Sequence, residues 1–227
     1  MHPELSPVFA GLFLLLAILS MAWFSRILRS PLFFMLATIW IMVQSYVAWT
    51  GFYLDENSVP PRLVLFSVFP LILLIMVGFI SAKGKQMIGR IPLQNLTWFH
   101  TIRIPVEIFL FLLFKEELVP QEMTFEGHNY DLLSGISAPI VALIAFRNHK
   151  MNRTLLLIWN IACLVLLAII VVTAVLAVPS PFQKIGLDQP NVAVLYFPFV
   201  FLPALIVPLV LFAHLAAIYQ LRSTVKD

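Results

Sequence analysis

Seven apolar stretches separated by short polar links make up most of this chain: 7–25, 31–53, 63–81, 96–114, 131–146, 154–178 and 192–219. Five of them contain no Asp, Glu, Lys or Arg. A helix needs about 20 apolar residues to cross a bilayer. Inside hydrocarbon, every backbone N–H and C=O must be satisfied within the segment, which leaves helices or closed barrels. The pattern predicts an all-α fold: one integral membrane domain over 1–227, built as a bundle of seven transmembrane helices. The fifth stretch is the shortest. Only 11% of the residues are charged, against about 25% in a soluble domain, too few to cover a soluble surface of this size.

Charges in the links set the expected orientation. Arg26 and Arg29, then Lys83, Lys85 and Arg90, then Arg147, Lys150 and Arg153, then Arg222 and Lys226 fall on one side. The other side holds Arg62, Lys115 and Lys184, each with acidic residues in the same link. Lys and Arg near span ends mark the cytoplasmic face, so the N-terminus is expected outside and the C-terminus in the cytoplasm, as in a bacterial inner (plasma) membrane. Glu4 precedes the first stretch and no Lys or Arg does. A secretory signal has a positive n-region, so this stretch reads as a retained span. The net charge of +3 then follows from topology, and the expected partner is the lipid bilayer, with no nucleic acid; a homo-oligomer is compatible with the sequence. The single cysteine, Cys163, leaves no intramolecular disulfide.

The fourth stretch carries His100, Arg103 and Glu107 in an otherwise apolar run. Each charge at bilayer depth costs on the order of 2.5–3.5 kcal/mol on insertion scales. Spacings of three, four and seven put the three on one helical stripe, which predicts that they face the bundle interior. At 1.5 Å per residue they lie roughly 6, 10 and 16 Å from the inner border. Asn160 and His214 reach the depth of His100 and Arg103, and Gln44 lies nearer Glu107. Arg103 and Glu107 are expected to pair as i,i+4 neighbours, with Pro105 freeing the Thr101 carbonyl between them. Pro198, Pro203 and Pro208 predict an irregular last span.

The link before the fifth stretch contains Glu126, His128 and Asp131. Carboxylate and imidazole together suit a divalent metal; capping of the fifth helix by Asn129 or Asp131 is the simpler expectation, and the link is compact enough to fold back over the bundle.

Three functions fit these residues. In a transporter or channel-like protein, Arg103 would hold a small anionic or zwitterionic solute, and Glu107 with His100 would relay protons. In a membrane enzyme acting on a lipid-like substrate, Glu107 or His100 would be the general base, with Arg103 on a carboxylate or phosphate; its haem variant makes His100 and His214 axial ligands. In a receptor or assembly subunit the polar stripe would bind a partner helix. The last stretch contains no lysine, which excludes a retinal Schiff base there.

Overall fold

The computed structural model describes residues 5–147 and 150–223. Glu4 and Lys226 of the topology argument lie outside the described residues. Every regular element described is helical. The chain runs through α1 (Pro7–Leu28), α2 (Pro31–Trp49), a π-helical turn (Val64–Val68) leading into α3 (Phe69–Ile80), and α4 (Ala82–Ile88). It continues through α5 (Leu93–Phe99), a 3-10 turn (His100–Ile102), α6 (Arg103–Lys115) and α7 (Asp131–Ala145). The last elements are α8 (Arg153–Ala177), a second π-helical turn (Leu202–Ile206) and α9 (Val207–Ser223).

Five of these helical segments are long and apolar enough to cross a membrane: Pro7–Leu28, Pro31–Trp49, Leu93–Lys115, Arg153–Ala177 and Leu202–Ser223. Val64–Ile80 qualifies together with α4, but the two are bent by 90°. There Ser81 breaks the helix and restarts it, its hydroxyl accepting from the Gly84 N–H at 3.1 Å. The remaining apolar helix, α7, has 15 residues, short of a full crossing. The fold is thus an all-helical bundle of several long apolar helices.

The boundaries of the fourth and seventh stretches differ from the sequence reading. The fourth starts at Leu93 and tightens into a 3-10 turn at His100–Ile102, which ends three residues before Pro105. The seventh forms only a 3-10 turn (Ala193–Leu195) before its continuous helix, and Phe199 and Val200, just ahead of that helix, are buried without being helical.

Both π-helical turns lead into a proline, and α2 supplies what the proline removes. Pro70 and Pro208 have no N–H for the carbonyls four residues earlier, those of Phe66 and Ala204. Gln44 Nε2 donates to the Phe66 carbonyl at 3.3 Å, and Trp40 Nε1 donates to the Ala204 carbonyl at 2.8 Å. Trp40 and Gln44 lie one turn apart on the same face of α2. In lipid no water replaces such donors, so α2 fastens both turns. Gln44 also accepts from the Tyr53 hydroxyl at 2.6 Å.

The link between α6 and α7 folds back into the bundle. Met123, Thr124 and Asn129 are buried. The turn depends on Gly127, where a Cβ would run into the Gln121 carbonyl. Gln189 clamps the link from the other long connection, donating to the Phe114 and Val119 carbonyls at 2.8 and 2.7 Å. As a result α7 begins deep: Asp131 meets Arg103, about a dozen residues and roughly 18 Å along the axis from Lys115. The sequence reading began the fifth crossing at Asp131, which would put it at the outer border; the fold-back instead buries it against Arg103.

Candidate functional site

His100, Arg103 and Glu107 all point into the bundle, with 0, 2 and 2% of their surfaces exposed. The 3-10 turn ends where α6 begins, so these residues share one inward face. What they touch divides them into two groups.

The first group is aromatic. His100 stacks face to face on His214 of α9, with ring centroids 3.8 Å apart and planes 17° from parallel. Trp159 of α8 meets His100 edge-on at 5.4 Å. Asn160 Nδ2 donates to the Leu156 carbonyl at 2.8 Å, so its oxygen faces His214 Nδ1 at 2.9 Å. That geometry puts the His214 proton on Nδ1 and leaves Nε2 as the lone-pair nitrogen. Axial haem ligands approach iron with their nitrogen edges from opposite sides; two rings stacked at this distance leave no room for a porphyrin between them. The haem expectation does not fit.

The second group is ionic. Arg103 Nε lies 3.1 Å from Asp131 Oδ2, with both side chains buried. The expected Arg103–Glu107 pair is not formed. Glu107 Oε1 and Oε2 instead accept from Asn129 Nδ2 at 2.8 and 2.7 Å. Asn129 also uses its oxygen to accept from the Asp131 N–H at 2.9 Å, capping the first turn of α7 while it holds Glu107. The physical reason for the exchange is the folded-back link, which brings a carboxylate to Arg103 from a neighbouring helix. An inward i,i+4 pair on α6 itself would have the weaker Arg-before-Glu order.

Gly135 makes the ion pair possible. A Cβ there would lie 3.0 Å from the Ile104 nitrogen and 3.1 Å from Arg103 Cβ, so α7 approaches α6 at backbone distance. Gly135→Val should push the two apart and pull Asp131 from Arg103. We expect a loss of about 1–3 kcal/mol from overpacking, read as a lower unfolding midpoint in mild detergent; an unchanged midpoint would show that the close approach is not needed.

The metal expectation at Glu126, His128 and Asp131 meets a different arrangement. Asp131 is buried against Arg103, Glu126 lies 3.5 Å from Lys115 Nζ, and His128 is exposed. Among the described residues no group of three His, Cys, Asp or Glu side chains is placed to hold a metal ion.

A half-enclosed cavity of about 100 Å³ adjoins the ionic group. Its walls are apolar, with Val106 and Leu110 from α6, Ile170 and Ala174 from α8, and Val64 and Pro203 from the two π-helical turns. Glu107, Asp131 and Asn191 are the polar residues that line it. Asn191 Oδ1 is buried without a hydrogen-bond partner, and Asp131 interacts with the Ser134 side chain as well as with Arg103. Asn191 was not anticipated; an asparagine directly ahead of the last apolar stretch was its only signal. Asn129 and Asp131 were legible as polar residues but were assigned to capping and metal binding.

The profile of one protein family, described as Domain of unknown function (DUF8737), matches residues 60–222. The chain belongs to this family. The matched DUF8737 region contains every residue of both groups and the whole cavity, and α1 and α2 precede it. No curated protein and no solved structure matches the chain.

Proposed function

We propose that this DUF8737 protein spans a bacterial-type inner (plasma) membrane seven times and binds an amphiphile taken from the bilayer. The seven crossings are then the five long spans, the bent α3–α4 pair, and α7 completed by the link that folds back ahead of it. The loop charges put the N-terminus outside and the C-terminus in the cytoplasm. A reporter active only in the cytoplasm, fused at the C-terminus, should work, and one fused after Ser58 should not; the reverse would overturn the topology.

The cavity carries the ligand reading. It lies between α8, which packs on α7 and α9, and the Val64–Val68 turn, which packs on the Leu202–Ile206 turn. Val175, on its wall, is also exposed on the outer face of the bundle. In a membrane that face meets acyl chains, so the cavity opens sideways to lipid. Its volume approaches the about 150 Å³ of a cavity that takes benzene, enough for the end of a chain whose remainder lies in the bilayer.

A pathway for a small anion finds less support: Arg103 is tied to Asp131 and the cavity is apolar. Glu107, held by Asn129 on the cavity wall, is the group placed to exchange a proton with a bound head. Protein purified in mild detergent should carry a bilayer amphiphile visible by native mass spectrometry. Protein that arrives empty from several gentle detergents would contradict the reading.

A further inference from the structure

The break at Ser81 leaves one face of α9 uncovered at its end. The chain turns there by 90°, and Gly84 permits the turn, since a Cβ on it would run into the Gly78 carbonyl. α4 then runs sideways and is tied to α9 by Gln220, whose Nε2 donates to the Ile88 and Ile91 carbonyls at 2.7 and 2.9 Å. Near its end α3 meets α9 through Phe79, whose ring lies 5.9 Å from that of Tyr219. Beside that contact a groove of about 510 Å³ opens between the two helices. Leu215, Ile218, Tyr219 and Arg222 form its α9 wall, at spacings that share one helical face. The groove is apolar over Phe79, Leu215 and Ile218. It ends on Arg222, seven residues and roughly 10 Å along the axis from Leu215.

Positive charge gathers at that end. α4 starts three residues after Phe79 and carries the exposed Lys83 and Lys85. Arg222 is exposed as well, and among the described residues none of these three cations has an ion pair. Residues 81–95 and 215–226 contain no Asp or Glu. The bias of Lys and Arg toward the cytoplasmic side accounts for these charges. It does not account for an apolar groove beside them, within the about 300–1,000 Å³ typical of ligand sites. An apolar groove that ends on a guanidinium at the membrane border complements a lipid with an anionic phosphate head.

We propose that the groove between α3 and α9 binds an anionic phospholipid of the cytoplasmic leaflet. Arg222 holds the phosphate, Lys83 and Lys85 strengthen the positive field around it, and an acyl chain lies along Phe79, Leu215 and Ile218. The site is separate from the cavity between α6 and α8, and its leaflet rests on the orientation proposed above. The groove is open to the bilayer, so its occupant exchanges and is read by titration.

The test titrates full-length protein, stripped of lipid by detergent exchange, with dioleoyl phosphatidylglycerol and with dioleoyl phosphatidylcholine. The two lipids share their tails, and native mass spectrometry counts the adducts. Phosphatidylglycerol should bind about tenfold more tightly, and Arg222→Gln, at an exposed position, should cut that preference about fivefold. Ile218→Trp fills the groove and should abolish the preference; if that variant does not fold, Arg222→Gln decides. Glycerol phosphate, the head without tails, should not compete; competition by it would show an anion site and overturn the lipid assignment. Equal binding of the two lipids, no binding of either, or a preference untouched by Arg222→Gln would also overturn it. Ala174→Phe, in the other cavity, should leave the phosphatidylglycerol preference intact. Loss of the preference in that variant would move the lipid to the first cavity, so this inference would fail while the bilayer-amphiphile reading stood. Binding in detergent does not depend on orientation, so failure here leaves the topology to the reporter fusions.

Discussion

Arg103→Met should destabilise the protein by about 3–5 kcal/mol, the usual cost of removing one partner of a buried ion pair. The substitution leaves Asp131 as an uncompensated carboxylate in a site where it is 5% exposed. Asp131→Leu should do comparable harm, because all three guanidinium nitrogens of Arg103 already lack a hydrogen-bond acceptor and would lose their counter-charge as well. The double variant should be more stable than either single one, since replacing both members of a buried pair by apolar groups is often nearly neutral. Glu107→Leu combined with Arg103→Met should show no such recovery, because Asn129, not Arg103, holds Glu107. Unfolding midpoints of the five proteins in one detergent measure this. Recovery in the Arg103/Glu107 double variant, with none in the Arg103/Asp131 variant, would reverse the pairing described here.

The inward stripe of α6 was legible because helical periodicity fixes which side chains share a face, and a charged stripe avoids lipid. The meeting of His100 with His214 and Asn160 followed from depth alone, since all three sit at similar distances from the inner ends of their spans. Depth also misled. Counting 1.5 Å per residue assumes that a link stays in the water, and it put Asp131 at the interface. The segment containing Met123, Thr124 and Asn129 instead enters the bundle, anchored by Gly127 and by Gln189, contacts between residues far apart in the chain. With it moved the partner of Arg103.

The irregular last span was legible from its prolines. Their consequence for α2 was readable in principle: Pro70 and Pro208 name the carbonyls of Phe66 and Ala204 as orphans. Which donors answer them is a matter of packing, and Trp40 and Gln44 become visible as a pair only once α2 lies across both π-helical turns. The cavity lies beyond such reasoning. Its wall is drawn from α6, α8 and both turns, and each residue in it looks like ordinary lipid-facing or core sequence.

Ala174→Phe is the most direct measurement of the central claim, that a bilayer amphiphile enters between α8 and the Val64–Val68 turn. Ala174 lines the cavity and is partly buried, and a phenyl ring there would occupy most of a volume of about 100 Å³. Leu74→Phe places a phenyl ring on the exposed face of α3, away from the cavity. Native mass spectra of the unaltered protein and of the Leu74 variant should show the same bound amphiphile, and the Ala174 variant, equally folded by its unfolding midpoint, should lose at least nine-tenths of it. An Ala174→Phe protein that keeps its amphiphile in full would contradict the account, because the molecule would then be bound elsewhere.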